Sequence, residues 1–292
     1  MRNKTKAHSQ VEEKKQNGDP NRSLINNYRT VREFTEVLCK PLCTEDYVIQ
    51  SMPDVSPTKW HLAHTSWFFE TFVLSKVNPH YKCPHPQYRY LFNSYYVQAG
   101  ERHVRSERGL LSRPTVEEVY RYRRYVDQSM IEFLGEANKA QIEEIAPVIE
   151  IGLHHEQQHQ ELIVTDIKHV FSVNPLRPVY VNRDNSKVSS VPKINWVSFP
   201  GGMYFIGHEG DGFAFDNESP RHREFLEPFQ LASRLVTNGE YLLFMEDCGY
   251  RKPELWLSDG WHTGETSGWC APQYWEKWMG AGGISPFLVC AR

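Results

Sequence analysis

His155 and His159 stand four residues apart within His154-His155-Glu156-Gln157-Gln158-His159, so on a helix they share one face, a turn apart. Two imidazoles at that spacing fit one metal ion. The same spacing also suits a surface pair, or a hydrogen-bonded pair in a core. The letters match H-E-x-x-H, in which Glu156 acts as general base on a zinc-bound water. That zinc-protease reading lacks support further along. The metzincin continuation needs glycine where the chain has Leu162, and between Glu161 and Glu209 the only acids are Asp166 and Asp184. A third imidazole is on offer in Trp60-His61-Leu62-Ala63-His64-Thr65. Three neutral imidazoles leave coordination positions open, which marks a catalytic rather than a structural site. Imidazole suits Fe, Zn, Cu and Ni alike.

Four helices are expected to carry these groups. The first runs from about Ser23 to Cys39, with Leu24, Tyr28, Val31, Phe34 and Leu38 on one face. The second opens at Ser56-Pro57, with proline in the first turn, and carries Trp60, Ala63, Trp67, Phe68 and Phe72. The third opens at Thr115 with Glu118 three residues on, a capping-box pattern. The fourth is expected from about Pro147 to Phe171 and holds the paired histidines. Residues 76–114 separate the second and third helices, and four helices with one long crossover suggest a bundle.

The periodicity changes after Asn174. Residues 176–192 read as a linker, with a domain boundary near residue 190. Strand-like pieces follow, Ile194–Phe199 and Gly202–Gly207, and then a helix near Thr237–Asp247.

With 40% hydrophobic residues the 292-residue chain has enough apolar material for one large core or two ordinary ones. The balance of 33 basic against 36 acidic residues argues against a nucleic-acid coat or a polybasic membrane binder. No run is apolar enough to span a bilayer. Residues 1–22 are polar, without an apolar segment of the secretory kind, and read as a disordered tail. Six cysteines without a CxxC pair point to a reduced, cytoplasmic protein.

Four stretches together resemble the hercynine oxygenases of ergothioneine biosynthesis, the EgtB family: residues 56–74, 91–103, 108–119 and 153–167. Residues 199–225 and 236–250 extend the resemblance, which covers roughly residues 23–278. It implies an α+β chain: a DinB-like four-helix bundle over 23–175, then a mixed domain of the formylglycine-generating, sulfatase-modifying-factor type over 193–292, with a C-type-lectin-like fold.

The resemblance implies a non-haem Fe(II) held by His64, His155 and His159, with dioxygen as co-substrate. His61 and His154 are left as supporting or packing residues. It implies oxidative joining of a cysteine or γ-glutamylcysteine thiol to the imidazole C2 of hercynine, as a sulfoxide. Arg102 and Arg105 match the thiol-binding arginines, where a guanidinium grips a carboxylate through two hydrogen bonds; a solvated basic loop that includes Arg108 and Arg113 is the alternative. Gln158 matches a position near the imidazole substrate. Trp256 and Trp261 offer aromatic faces to a quaternary ammonium group, or pack in a core.

Ligands near 2.1 Å from one ion require the three imidazole nitrogens to lie roughly 3–4 Å apart. The family's later motifs, including a catalytic tyrosine, find no match after residue 278. The expectation is therefore a well-supported bundle that keeps the three-histidine site but turns over hercynine poorly or not at all, and a second domain with open strand edges, protease-sensitive after about residue 250. The rival functions are a metal-binding form without catalysis and a zinc-dependent hydrolase or thiol transferase.

Overall fold

The computed structural model describes residues 20–96, 98, 100–182, 190–280 and 283–289. Most of the expected polar tail, residues 1–19, lies outside the described residues. The chain divides into two units, the first ending at Val170 and the second beginning at Phe171.

Four long helices build the first unit. They are α1 (Pro20–Cys39), α2 (Thr58–Phe69), α3 (Val116–Glu136) and α4 (Lys139–Val173). The stripe that α1 buries differs from the apolar one in its sequence. Tyr28, Arg32, Thr35 and Cys39 are buried, while Phe34 is half exposed. Two polar residues thus sit where apolar ones were expected, because a buried carboxylate on α4 faces them. Pro57 is the N-cap of α2 rather than part of its first turn, and its carbonyl accepts from the amides of Trp60 and His61. A π turn, Glu70–Leu74, and one further turn, Ser75–Val77, continue α2. The capping box of α3 is formed as read: Thr115 Oγ1 accepts from the Glu118 amide at 3.2 Å and the Glu118 carboxylate accepts from the Thr115 amide at 2.7 Å.

α4 corrects the expected start at Pro147. It begins at Lys139 and carries Pro147 inside it. Ile142, Ile145 and Ile149 are buried in one stripe across the proline. Their burial outweighs the single backbone hydrogen bond that proline removes.

Among its described residues, the crossover between α2 and α3 carries short helical turns at Tyr88–Leu91 and Arg105–Leu110. Side chains order it further. Asn93 Nδ2 donates to the carbonyls of Tyr96, Gly100 and Glu101. Gln50 holds the carbonyls of Val55 and Arg105 and the amide of Gly109. Trp60 Nε1 donates to the Leu91 carbonyl.

The second unit is a mixed α/β region. β1 (Trp196–Phe199) pairs with β4 (Phe229–Ala232), β2 (Gly202–Ile206) with β3 (His222–Leu226), and β5 (Trp275–Gly280) with β6 (Gly283–Val289), all antiparallel. α5 (Asn238–Glu246) opens with a capping box between Thr237 and Glu240, and α6 (Ser258–Ser267) follows. Between residues 190 and 275 only Gly249 is buried. Of the expected linker, 176–192, residues 183–189 lie outside the described residues. No helix among the described residues is long and apolar enough to cross a membrane.

Candidate metal centre

All twelve residues of α2 are buried. A helix without a solvent face must find an internal partner for each polar side chain, because an unpaired buried donor or acceptor costs about 1–3 kcal/mol. Lys59 donates to the carbonyls of Leu111 and Pro114 and so pins the end of the crossover. Ser66 accepts from Arg32. The two histidines of α2 turn toward α4.

His64, His155 and His159 form a group whose ligand nitrogens all lie within 4.8 Å of one another. His64 Nε2 is 3.2 Å from His155 Nε2. His64 Nδ1 is 2.5 Å from the Phe92 carbonyl, which accepts its proton and leaves the Nε2 lone pair directed at His155. His159 Nδ1 is 2.8 Å from His61 Nδ1. Among the described residues His155 Nδ1 is buried without a partner. Burial lowers the pKa of all three, reinforced at His64 by His155 and at His159 by His64; His155 falls to about 4. At neutral pH the site therefore offers three unprotonated imidazoles from two helices. That donor set fits a divalent transition metal with positions left open for other ligands.

Gly152 permits the approach of α4 to α2. A Cβ there would lie 2.6 Å from Phe69 Cε1 and 2.8 Å from Phe68 Cε1. One turn further along α4, His155 then reaches His64.

Glu156 does not serve as the base that the H-E-x-x-H letters suggest. It is fully buried, and its carboxylate accepts from Arg32 at 2.8 Å, Arg123 at 2.6 Å and Thr35 at 2.6 Å. Burial pushes its pKa up, but Arg123 and Arg32, with the Thr35 hydrogen bond, outweigh this and hold it at about 2. Arg32 also pairs with Asp127 at 2.6 Å, which in turn accepts from Tyr28. Glu156 is thus the hub of the bundle's buried ion network.

Arg102 and Arg105 are exposed on the crossover. Arg102 donates to the Ser94 carbonyl, and Arg105 to Tyr95 Oη and the Asp54 carbonyl. Gln158 is exposed, one residue before His159. Arg108, grouped in the sequence with solvated loop arginines, is instead 5% exposed. It donates to Ser56 Oγ at 2.9 Å, and its guanidinium carbon lies 3.3 Å from the centre of the Trp60 ring. Burial first, then Arg105, lowers its pKa to about 10. Trp60 stacks on His64 at 4.6 Å and 13°, and His64 on Trp67 at 5.5 Å and 15°. Four planar groups are layered through the centre. Trp256, in the second unit, packs on Tyr250 and donates to the Gly249 carbonyl.

Residues 27–163 match the DinB superfamily model, and residues 182–283 the sulfatase-modifying factor enzyme 1-like domain. The chain is 34% identical to the hercynine oxygenase of Mycolicibacterium smegmatis over 82 residues, 27% of this chain and 19% of that protein. It is 36% identical to the hercynine oxygenase of Mycobacterium tuberculosis over 64 residues, 22% of this chain and 15% of that one. It is 38% identical to that of Mycolicibacterium thermoresistibile over 64 residues, 14% of that protein's length. These matches span well under two thirds of each relative.

Proposed function

The chain belongs to the hercynine-oxygenase family, in which a DinB-type bundle precedes a sulfatase-modifying-factor domain, and from that premise we propose that it is an iron-dependent sulfoxide synthase. His64, His155 and His159 would hold a non-haem Fe(II), which when bound supplies dioxygen activation. The substrates are hercynine and the thiol of cysteine or γ-glutamylcysteine. The imidazole C2–H and the S–H bond break and a C–S bond forms. One oxygen atom of dioxygen ends on sulfur as the sulfoxide and the other leaves as water, so atoms and electrons balance.

The observation that carries this reading is the convergence of three neutral imidazoles, with His64 Nε2 held 3.2 Å from His155 Nε2. The residues of the chain have separate tasks. Phe92 keeps the proton of His64 on Nδ1, away from the centre. Arg102 and Arg105, bonded among the described residues only to neutral oxygens, have charge to offer a thiol-borne carboxylate. Gln158 stands in the open beside His159 to meet the imidazole substrate. Six sparse cysteines without a CxxC pair support a reducing cytoplasmic setting.

The zinc-hydrolase reading loses its general base, since three buried donors occupy Glu156. The test is anaerobic loading with Fe(II), then oxygen uptake with hercynine plus each thiol, with product mass measured. One equivalent of iron and thiol-dependent sulfoxide formation are expected. Iron binding without oxygen uptake would leave a metal-binding form without catalysis. Zinc selectivity with hydrolysis would replace the reading altogether.

A further inference from the structure

The far nitrogens of the three imidazoles are treated differently. Among the described residues His64 Nδ1 meets a carbonyl, His155 Nδ1 meets nothing, and His159 Nδ1 meets another histidine. That histidine, His61, is 2% exposed, and its own Nε2 lies 3.0 Å from Asp166 Oδ2. Asp166 is seven residues beyond His159 on α4, two turns along the same face. Its Oδ2 also accepts from the backbone amide of Ser56 at 2.9 Å, a second hold on the carboxylate. A chain of contacts thus leaves α4 at Asp166, crosses to α2 at His61 and returns to α4 at His159.

Proton placement along this chain follows from donor and acceptor chemistry. A carboxylate only accepts, so His61 carries its proton on Nε2. A neutral His61 then has a lone pair on Nδ1. The nitrogen 2.8 Å away, His159 Nδ1, must donate to it. The proton of His159 is therefore on Nδ1, and Nε2 is left with its lone pair. The opposite tautomer would put two lone pairs face to face at 2.8 Å in a buried site and place a proton on His159 Nε2.

We propose that Asp166 and His61 are positioning residues that fix the tautomer and ring orientation of His159, and thereby set the metal affinity of the three-imidazole centre. The tautomer stands on the hydrogen bonds alone; its consequence for affinity rests on the metal-binding reading above. Outer partners of this kind are worth about 10–100-fold in metal affinity. The relay makes His159 a firmly oriented ligand and His155, with no outer partner among the described residues, the loosest of the three.

Two measurements on the full chain test this. The first is ring-nitrogen NMR of the 15N-histidine protein without metal, near pH 7.5. His159 is expected as the Nδ1–H tautomer in the parent and as a tautomer mixture in Asp166→Ala. An Nε2–H tautomer in the parent overturns the proposal, and no variant is needed to see it. The second is Co(II) affinity by chelator competition. His61→Phe fills the volume but accepts no hydrogen bond, and should bind 10–100-fold more weakly. His61→Gln, whose carbonyl accepts, should recover most of the loss. Equal affinity in parent, His61→Phe and Asp166→Ala overturns the proposal. A parent that binds no Co(II) or Fe(II) at all sinks the metal reading and the affinity part of the proposal, while the NMR still decides the relay.

Discussion

At Arg102 and Arg105 two exposed guanidiniums are bonded, among the described residues, only to neutral oxygens, so an incoming carboxylate displaces little. Removing either by Arg102→Ala or Arg105→Ala should weaken binding of γ-glutamylcysteine to the metal-loaded chain. A charge-assisted hydrogen bond contributes about 1.5–3 kcal/mol, roughly a 10- to 150-fold change in Kd. Metal affinity should stay as in the parent, because neither residue contacts an imidazole. Calorimetric titration checks both; an unchanged thiol Kd would return the pair to pinning the crossover. The paired histidines were legible because an i, i+4 spacing is written along one helix. Arg108 was not. Its partner Trp60 is 48 positions away in the chain, and a run of arginines reads as solvated until a ring is known to cover one of them. His61 was visible as a second imidazole of α2, but its part in the relay depends on Asp166, on another helix.

The helices themselves were legible from apolar spacing and caps, and the errors on α1 and α4 were of one kind. On α1 the apolar period pointed at Phe34, while the buried stripe carries Arg32 and Thr35. On α4 Pro147 looked like a start and is an interior residue. In both cases tertiary burial overrode a local signal: the Glu156 network claims α1, and the isoleucines on either side claim the proline. Two predictions belong here. Gly152→Ala places a Cβ against Phe68 and Phe69 at a helix contact and should cost about 1–3 kcal/mol in urea unfolding, with weakened metal binding because His155 rides on the same turn. Glu156→Ala removes the buried carboxylate that two buried guanidiniums share, leaving Arg32 to Asp127 and Arg123 to Glu36, and should cost about 3–5 kcal/mol. The pH dependence follows from the same group. Its folded pKa of about 2 is below the ordinary carboxylate value. Its stabilisation is therefore complete above about pH 4.5 and is lost as pH falls toward 2. The lowered imidazoles act higher: with His155 at about 4, the metal-free chain should lose stability from about pH 6.5 down to 4. Denaturation midpoints measured across pH 3–8, with Glu156→Gln for comparison, separate the two ranges.

Across the whole molecule, stability is concentrated in the bundle. Its buried cluster runs from Tyr28 to Ile163, whereas Trp196, Phe205 and Leu235 of the second unit are largely exposed. Where few apolar groups are buried, local opening costs little, and a protease finds its substrate there. Brief trypsin or chymotrypsin digestion should cut between residues 190 and 275 well before it cuts α2 or α4, and the surviving bundle should keep its metal affinity. Early cleavage inside α2 would contradict this ordering. The two-domain order was legible in the sequence because periodicity changes after Asn174. The pairing of β1 with β4 around β2 and β3 was not, since each strand is four or five residues long and pairs with a distant one.

The layering of Trp60, His64 and Trp67 gives the chain a light signal of its own. These are two of its eight tryptophans, both buried and both stacked on a proposed ligand. An open-shell ion on His64, such as Co(II) or Cu(II), should drain the excited indoles beside it. Zn(II), with its filled d shell, should leave them bright. The emission lost should be the blue-shifted part that dry indoles contribute, while the other six tryptophans serve as an internal reference. A His64→Ala chain should give the same spectrum with and without added Co(II).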